Sequence, residues 1–581
     1  MRVLPQGPPG AGAASRSVNG KPHVSAAEVY LAEALSQVPR LLSLQDREPH
    51  SPTYGSFDRD AWSWKFRDFP LGMAQTAVYP LALLWHHPFP GNPYYGSERC
   101  LEWIAAGMDR ALATQHRNGA LDAWAPNEFD IGPTLGIAHG VAEAFRLVRS
   151  ALPPSRADRI AVGLRRAFEF GLGRRETHGF ISNHLALFAV ALLDAEELFG
   201  ERRFRQGAND LIAAILERQS PEGWYREYGG PDPGYETLGI HHLATCWQRT
   251  RSDDLQRSLE RALGCFAHFV HPDGSVGGVY GSRGTALYYP GGFEILAEVS
   301  PTARSVARFL QERLHHRNVV TPSVADLPNL VPMLYSYLEA ALAATGSTAD
   351  VHPLPCEALQ GVRPFPDAGL VVAGGRNYYA VIGGATGGVC RVFDRERGAL
   401  AYEDAGYLVR TSRGLLTSQA RGLGNVSVDA GTGVIICETP FAHLRHEYLT
   451  PARMILLRIL NLTAFRVAWL AGWFRRRIVR RLVTDVRAAP FRLRRTFHFD
   501  AERMHVTDDL SCTGGLRALS LTLARACTVV HAGSSRYYHP TELTPLAVPA
   551  DDAMAPTLRV GSPLSRSFEI RVGAGGEPAS T

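Results

Sequence analysis

The spacing of apolar residues along this chain changes once, and this change limits the folds that the chain can form. Between residues 25 and 345, ten segments place apolar residues at i, i+3, i+4 and i+7, which is the period of amphipathic helices. The first is EVYLAEALSQVPRLLSL and the last is NLVPMLYSYLEAALAA. After residue 366 the apolar runs become short, β-branched and bounded by glycine, as in the strands of a β-sandwich. The sequence therefore predicts a helical domain followed by a β-domain.

Successive helical hairpins either stack into an open solenoid or close into an α/α toroid. We find no sequence repeat of the kind that marks the common solenoid families, so we favour the toroid. The predicted architecture is multidomain, α then β: an N-terminal α/α toroid of about ten helices and a C-terminal antiparallel β-sandwich. The predicted divisions are a flexible leader at 1–24, the toroid at 25–345, a connector at 346–366 and the sandwich at 367–575, which contains a basic, apolar helical insert at 453–483.

The net charge of +5 is distributed unevenly along the chain. Residues 453–487 hold nine arginines and one aspartate, so this segment carries +8 and the rest of the chain carries −3. Without a general basic surface, the chain is not expected to bind nucleic acid. The first twenty residues lack the apolar run of a secretory signal, which predicts a cytoplasmic protein.

Motifs for metal ions, nucleotides and serine hydrolases are absent. The eight cysteines form no CxxC pair, which argues against a zinc site and a disulfide framework. There is no GxGxxG after a strand, no GxxxxGK[ST], no HExxH and no GxSxG. The sequence therefore predicts no cofactor and no metal site.

Two segments gather polar side chains at predicted helix starts. Asn183 and His184 begin a long apolar helix, where Asn183 would also serve as a simple cap. Residues 224–244 combine tyrosines, carboxylates and histidines, among them Glu227 and Tyr235, before a second helix begins. This second composition favours a sugar-binding cleft over an ordinary interhelical loop.

Three further segments are candidates for contact with a glycan. The loop at 271–294 has seven glycines, and Arg283 within it suits an anionic substrate group. Trp62 lies in an aromatic stretch with Trp64 and Phe66, which fits either stacking on sugar rings or packing at a domain edge. Glu128 lies between two helices, together with Asn127 and Asp130.

Taken in order, these elements resemble the heparinase II/III-like family, which belongs with the toroid-plus-sandwich polysaccharide lyases and a related uronate C5-epimerase. SNHLALFAVAL at 182–192 is similar to the NHL-type helix start of the family. YREYGGPDPGYETL at 225–238 resembles its Glu-then-Tyr segment, and APNEFD at 125–130 its Pro-Asn-Glu loop. The resemblance covers most of residues 50–575.

The resemblance implies a role for each matching residue. Asn183 and His184 would neutralise the carboxylate of a uronate, which acidifies the C5 proton, and would assist proton transfer. Tyr235 would be the general acid and base, with Glu227 as its supporting partner. A phenol, whose pKa is ordinarily about 10, needs a neighbouring cation such as Arg283 to act as a base near neutrality.

One segment departs from the family pattern. The family carries a histidine-rich turn early in its sandwich, and RGALAYEDAGYLV at 397–409 stands in that place. Asp404 matches the aspartate of that turn, whereas Tyr402 replaces a histidine. Tyr402 is therefore a predicted substrate contact rather than a metal-supporting residue.

Three functions remain open at this point. The first is C5-proton abstraction on an acidic, uronate-containing polysaccharide or oligosaccharide, by a lyase or a C5-epimerase. The second is glycoside hydrolysis on the same fold. The third is a non-catalytic glycan-binding protein of polysaccharide assembly. The hydrolase would use two of the loop and helix carboxylates Glu128, Asp130, Glu227, Asp232, Glu236 and Glu294.

The insert at 453–483 allows two interpretations. It is either a helix packed on the toroid or an interfacial helix that touches an anionic membrane peripherally. Arg458 and Arg466 interrupt its apolar run too early for a membrane span. The interfacial hypothesis relies on its aromatic residues and on the cluster Arg475, Arg476, Arg477, Arg480 and Arg481.

Overall fold

A computed structural model describes most of the chain. The described residues are 25–176, 179–228, 230–314, 318–347, 349–419, 422–444, 449–479, 487–524, 537–538, 540–543 and 563–572. The predicted leader and, within the predicted insert, Arg480 and Arg481 lie outside these residues.

The helical part contains thirteen α-helices among the described residues. They are α1 Ala26–Ser43, α2 Arg59–Trp62, α3 Val78–His86, α4 Glu98–Ala113, α5 Ile131–Val148, α6 Pro154–Gly171, α7 Ser182–Phe199, α8 Arg202–Glu217, α9 Pro233–Thr250, α10 Asp253–Phe266, α11 Gly291–Leu296, α12 Pro301–Gln311 and α13 Leu327–Ala343. The ten predicted segments correspond to α1, α4 to α10, α12 and α13.

The helices close into a ring. Each of α3, α5, α7, α9, α11 and α13 contacts the next, and α13 contacts α3, which completes the cycle. The helices between them form an outer layer, of which α1 packs on both α12 and α13. The inner helices are buried around much of their circumference, as α5 illustrates, whereas outer helices such as α10 bury one stripe. The predicted toroid is confirmed.

Two antiparallel sheets follow. Their strands are β1 Gly361–Phe365, β2 Leu370–Gly374, β3 Tyr378–Gly383, β4 Val389–Asp394, β5 Ala399–Asp404, β6 Tyr407–Thr411, β7 Gly414–Thr417, β8 Asn425–Asp429, β9 Val434–His443, β10 Ala488–Phe499, β11 Arg503–Cys512, β12 Ala518–Leu523 and β13 Leu564–Arg571. The first sheet has the order β1-β2-β3-β4-β5. The second has the order β12-β6-β7-β9-β10-β11-β13, and β8 pairs with β9.

The region predicted as a connector is partly regular. Within 346–366 the chain forms a short helix, α14 Pro355–Ala358, and then strand β1. The strand pairs with β2 from Gly361–Gly374 to Phe365–Leu370, although its sequence GVRPF contains a proline. Proline is tolerated because β1 is the edge strand of its sheet.

The first sheet lies between the toroid and the second sheet. Leu370 and Val372 of β2 belong to the core of the helical domain, whereas Val371 and Ala373 pack in the core between the two sheets. Successive side chains of a strand point to opposite faces, so one strand serves both cores. This explains why β2 is a continuous apolar run without alternating polar residues.

The insert forms two helices rather than one. They are α15 Pro451–Leu462 and α16 Ala468–Val479, with a 3-10 turn at Ala464–Arg466 between them. The Thr463 hydroxyl donates to the Ile459 carbonyl over 2.6 Å, a bond that competes with the helical pattern and favours a bend. Among the described residues, no helix combines the length and apolar content that crossing a membrane requires.

A buried arginine joins the two sheets. Arg495 of β10 is fully buried and makes a two-pronged ion pair with Asp508 of β11, at 2.6 and 2.7 Å. The same guanidinium lies 2.7 Å from Asp404 of β5, in the other sheet. Tyr407 donates its hydroxyl proton to Asp508 over 2.7 Å. One cation thus pairs with two buried carboxylates, one from each sheet.

We expect Arg495→Leu to destabilise the sandwich by about 3–5 kcal/mol, because it leaves two carboxylates buried without a cation. The matched control is Arg494→Leu on the same strand, whose side chain is more than half exposed and whose removal should change stability by less than about 0.5 kcal/mol. Denaturant unfolding of both variants measures the difference. Equal effects would contradict the structural role given to Arg495.

A second buried pair links α1 to α11. Tyr30 donates its hydroxyl proton to Glu294 over 2.8 Å. Burial raises the pKa of Glu294 from its usual 4.5 to about 7. Between these values the folded chain binds more protons at Glu294 than the unfolded chain does, so stability falls as the pH rises through this window.

We expect Glu294→Gln to remove this pH dependence. Glutamine still accepts the Tyr30 proton but cannot ionise. The variant should match the parent protein near pH 4.5 and exceed its stability by about 3 kcal/mol above pH 7. Unfolding midpoints measured across this range test the expectation. A parallel pH profile for the two proteins would contradict it.

Candidate active site

The candidate site lies where α7 and α9 begin, side by side in the inner ring. The chain before α9 packs against the first residue of α7, because the Ser182 backbone amide and hydroxyl both donate to the Arg226 carbonyl, over 3.0 and 2.9 Å. This contact brings Asn183, at the start of α7, next to Glu227. Two loops distant in sequence therefore form one polar cluster.

Glu227 is the centre of that cluster, and it is 1% exposed. Its carboxylate accepts the Asn183 backbone proton over 2.9 Å and a proton of the Asn183 side-chain amide over 2.6 Å. It also pairs with the Arg283 guanidinium at 2.5 Å. Burial raises the pKa of Glu227, and the neighbouring Arg283 and Asn183 oppose that rise. The carboxylate is thus held by one cation and two amide donors.

Asp232 positions the two chain segments that carry Tyr235 and Arg283. Its carboxylate accepts the Tyr235 backbone proton over 3.1 Å, as the N-cap of α9, and the Arg283 backbone proton over 2.7 Å. The segments approach so closely that a Cβ on Gly234 would lie 2.4 Å from the hydroxyl oxygen of Thr285. Glycine at 234 is therefore required by space, and the loop and the helix start act as one unit.

The Arg283 guanidinium lies over the rings of two tyrosines. Its guanidinium carbon lies 3.7 Å from the ring centre of Tyr235 and 4.9 Å from that of Tyr228. Tyr228 has a backbone φ of +50°, in the left-handed region, which turns the chain back toward Glu227. Burial raises the pKa of Tyr228 to about 12. Tyr228 therefore stays protonated near neutral pH.

His184 occupies the outer side of the cluster. Its Nδ1 lies 2.8 Å from a Glu176 oxygen, and its side chain is one-third exposed. A carboxylate bound at Nδ1 fixes the proton there and leaves Nε2 as the nitrogen available to a ligand. Gly132 of α5 lies beside this pair, because a Cβ on it would be 3.8 Å from Glu176. The start of α5 thus forms part of the same end of the toroid.

The structure brings together most of the predicted site residues. One cluster contains Asn183, Glu227, Tyr235 and Arg283. His184 lies near this cluster: burial raises the pKa of Glu227, and His184 is among the neighbours that oppose the rise. Their individual roles remain predictions. Among the described residues, no group of three or more histidine, cysteine, aspartate or glutamate side chains is arranged to hold a metal ion.

Three predicted substrate contacts have their observed hydrogen bonds outside the cluster around Glu227. Trp62 donates its indole proton to the Leu44 carbonyl over 2.8 Å, at the end of α1. Glu128 accepts backbone protons of residues 123 and 124 and so shapes its own loop. Tyr402 is buried in the core between the sheets, where its hydroxyl donates to Asp404 over 3.2 Å. In the described part of the chain these contacts give each residue a structural role.

The carboxylates considered for hydrolysis also have structural partners. Asp130 and Asp232 cap α5 and α9. Glu236 accepts the Tyr225 backbone proton, and burial raises its pKa well above the usual value. Glu294 accepts the proton of Tyr30. These contacts do not favour a hydrolytic pair.

Glu176 and Tyr228 were missed by the sequence analysis. Glu176 lies in the loop RRETHG, eight residues before His184, and nothing in its spacing indicates that the chain folds back onto the histidine. Tyr228 lies inside the segment 224–244. Its contact with Arg283 depends on its own left-handed backbone conformation, which the sequence YGG does not predict. Both contacts are tertiary.

No protein-family model matches the chain, and no curated protein matches it in sequence. Solved structures do match in fold. Xanthan lyase from Paenibacillus superposes with a TM-score of 0.53 and 10% identity, over 85% of this chain and 46% of that chain. Chondroitin AC lyase from Streptomyces coelicolor, solved with chondroitin sulphate, gives 0.53 and 11%, over 88% of this chain and 69% of that chain.

Heparan sulfate lyase HepC from Pedobacter heparinus superposes more weakly, with a TM-score of 0.43 and 12% identity over 86% of this chain and 71% of that chain. The present chain spans less than half the length of the xanthan lyase. At these identities the likeness concerns the fold. The chain therefore has the α/α toroid and antiparallel β-sandwich of the toroid-plus-sandwich polysaccharide lyases, as its sequence predicts.

Proposed function

We propose that this protein is a carbohydrate-active enzyme that abstracts the C5 proton from a uronate residue of an acidic polysaccharide or oligosaccharide. The observation that carries the proposal is the stack of the Arg283 guanidinium on the Tyr235 ring, at 3.7 Å, next to the donors around Glu227. The shared fold supports the substrate class, because the two neighbours are named as lyases of xanthan and chondroitin.

The chemistry begins at the substrate carboxylate. The C5 proton is acidic only when the negative charge on that carboxylate is offset, because its removal places further charge on the same group. The second amide proton of Asn183 is one donor in this proposal, and His184 Nε2 is the other when the imidazole carries a proton on both nitrogens. Arg283 provides a fixed positive charge within the same cluster. A buried set of fixed donors needs little reorganisation as charge develops.

Tyr235 is the proposed base. The cation against its ring stabilises the negative charge of the phenolate, so the hydroxyl oxygen takes the C5 proton more readily. In β-elimination the electron pair left at C5 forms the C4–C5 double bond, the C4–O bond breaks, and the departing oxygen takes up a proton. In epimerisation the C4–O bond stays intact, and a proton returns to the opposite face of C5.

His184 is the proposed second proton carrier. Its Nδ1 faces Glu176, whereas its ring is partly exposed, so Nε2 can take up a proton and pass it to a bound glycan. Because Tyr402 lies in the sandwich core, the proposal assigns proton transfer to toroid residues alone. Whether a lyase or an epimerase results depends on which of these groups reaches the departing oxygen.

We expect Tyr235→Phe to reduce turnover by about 10²–10⁴-fold, because it removes one general acid and base. The control is Tyr225→Phe in the chain segment before α9, whose hydroxyl bonds Ser258 over 2.8 Å. The parent protein and both variants are incubated with a panel of polyuronates and sulphated glycans. Ultraviolet absorbance of unsaturated uronate reports a lyase, and solvent deuterium at C5 reports an epimerase.

The same panel separates the competing functions. New reducing ends without ultraviolet absorbance would indicate a hydrolase and contradict C5-proton abstraction. Binding of a glycan without turnover, unchanged in Tyr235→Phe, would indicate a non-catalytic protein. Equal losses in Tyr225→Phe and Tyr235→Phe would show that packing of the loop, and not the Tyr235 hydroxyl, limits the reaction.

The buried pair offers an independent test. Arg283→Leu leaves the Glu227 carboxylate buried without its cation, and we expect a loss of about 3–5 kcal/mol in stability. The double variant Arg283→Leu/Glu227→Leu removes both charges and should regain most of that loss. It should nevertheless stay inactive, because the cation next to Tyr235 is gone. An active double variant would contradict the role proposed for Arg283.

A further inference from the structure

The exposed apolar side chains of the described surface are concentrated in the insert. Residues 449–479, which include helices α15 and α16, carry nine of the large apolar side chains that face solvent. Trp469 is 70% exposed and Trp473 is 50% exposed. A concentrated patch of this kind marks a surface that is covered by a partner. The nine residues are Leu449, Met454, Ile455, Leu456, Ile459, Leu462, Val467, Trp469 and Trp473.

Helix α15 presents its apolar face outward and its polar face to the protein. Arg458 pairs with Asp68 of the toroid at 2.8 Å and stacks on the ring of Phe69 at 4.7 Å. The carbonyl of Asn461, one turn later, accepts the Asn127 side-chain proton over 2.7 Å. A helix on a soluble surface normally has the reverse orientation. The apolar face, with Ile455 and Ile459, is therefore built to contact something other than this domain.

Two toroid loops extend the same surface. Trp64 and Phe66 are exposed and stack on each other at 6.0 Å, four and two residues before Asp68, which anchors α15. Trp124 is also exposed and precedes Asn127, which holds the end of α15. Aromatic side chains such as tryptophan, whose apolar ring carries a polar group that can contact water, are characteristic of the boundary between water and lipid.

The positive charge of the insert indicates which kind of partner would cover this surface. Residues 449–479 contain six arginines and no aspartate or glutamate. Arg476 and Arg477 are exposed, and Arg477 lies over the ring of Trp473 at 5.3 Å. In a symmetric dimer this surface would face its own arginines. A surface that offers anionic groups above an apolar layer complements both features.

We propose that the insert, with the loops of Trp64 and Trp124, binds peripherally to an anionic lipid bilayer. Leu, Ile and Trp side chains enter the boundary between headgroups and acyl chains, and the arginines contact the anionic headgroups. A twelve-residue helix is about 18 Å long, against about 30 Å of hydrocarbon, so each helix lies in the plane of the interface.

The bilayer surface adjoins the end of the toroid that holds the candidate site. Asn127, which contacts α15, lies in the loop that ends at Asp130, the cap of α5. The second residue of α5, Gly132, lies beside Glu176, the partner of His184. Binding therefore brings the cleft close to a glycan held at the membrane. The lipid contact itself does not depend on the proposed reaction.

Vesicle flotation of the full chain tests the proposal. Vesicles of phosphatidylcholine alone are compared with vesicles that also contain phosphatidylglycerol, at about 0.1 M and 1 M salt, where the screening length falls from about 10 Å to 3 Å. We expect flotation with the anionic vesicles at low salt and much less at high salt. Brominated lipid should quench the tryptophan fluorescence of the unaltered protein, which requires no variant.

Paired variants identify the groups involved. Arg476→Ser/Arg477→Ser should weaken binding to anionic vesicles about 25-fold, at about fivefold for each arginine. Its control is Arg159→Ser/Arg202→Ser, two exposed arginines on α6 and α8. Ile455→Ser/Ile459→Ser should weaken binding at least tenfold, and its control is Val162→Ser/Leu342→Ser, two exposed apolar residues of the toroid.

The outcomes are distinguishable. All four variants should retain the turnover of a soluble glycan if the proposed function holds, because none lies in the site. No flotation and no quenching with anionic vesicles would overturn the proposal, as would equal losses in the control pairs. A stable dimer that Ile455→Ser/Ile459→Ser converts to monomer, without lipid binding, would assign the surface to a second copy instead.

Discussion

The buried carboxylate of Glu227 is the interaction on which the candidate site depends. An isolated carboxylate at this depth would be strongly destabilising, so it requires its cation and its amide donors. Those partners come from two other segments: Asn183 from the start of α7 and Arg283 from the glycine-rich loop. One desolvated charge therefore fixes three pieces of chain relative to one another, and the aromatic rings of Tyr228 and Tyr235 both lie near the cation.

The sandwich contributes to the site by holding the loop of Arg283. Arg391 of β4 donates to the Gly277 carbonyl over 3.2 Å, and the Gln419 amide donates to the Val279 carbonyl over 3.3 Å. The ring of Phe393 stacks on His271, at the start of that loop, at 4.4 Å. A loop with many glycines loses much conformational entropy when it is ordered. These contacts offset that loss and keep the loop in one conformation. The second domain thus helps to orient a cation in the first.

The sequence was sufficient for the fold but only for part of the site. Helices with a polar face were predicted, whereas α3, which has no polar face, and α11, with six residues and two glycines, give no helical period. Tyr235 and Arg283 were found because each lies in a segment of unusual composition, whereas Asn183 was found through the resemblance of its helix start to that of a known family. Trp62, Glu128 and Tyr402 lie in equally suggestive segments, but the structure shows them in local contacts outside the cluster around Glu227. Glu176 reaches His184 only through tertiary folding, which one sequence does not display.

Three arginine environments in this chain show that the number of carboxylates around a guanidinium determines how much of its positive charge can act on other groups. Arg495 is buried between Asp404 and Asp508, so its charge is used entirely within the sandwich. Arg283 is equally buried but has one carboxylate, two aromatic rings and, among the described residues, no hydrogen-bond partner for its Nε. Part of its field is therefore left for charge that develops on Tyr235 or on a ligand. Arg476 and Arg477 of the insert are exposed, and their field acts outward, on the surface that the helices meet.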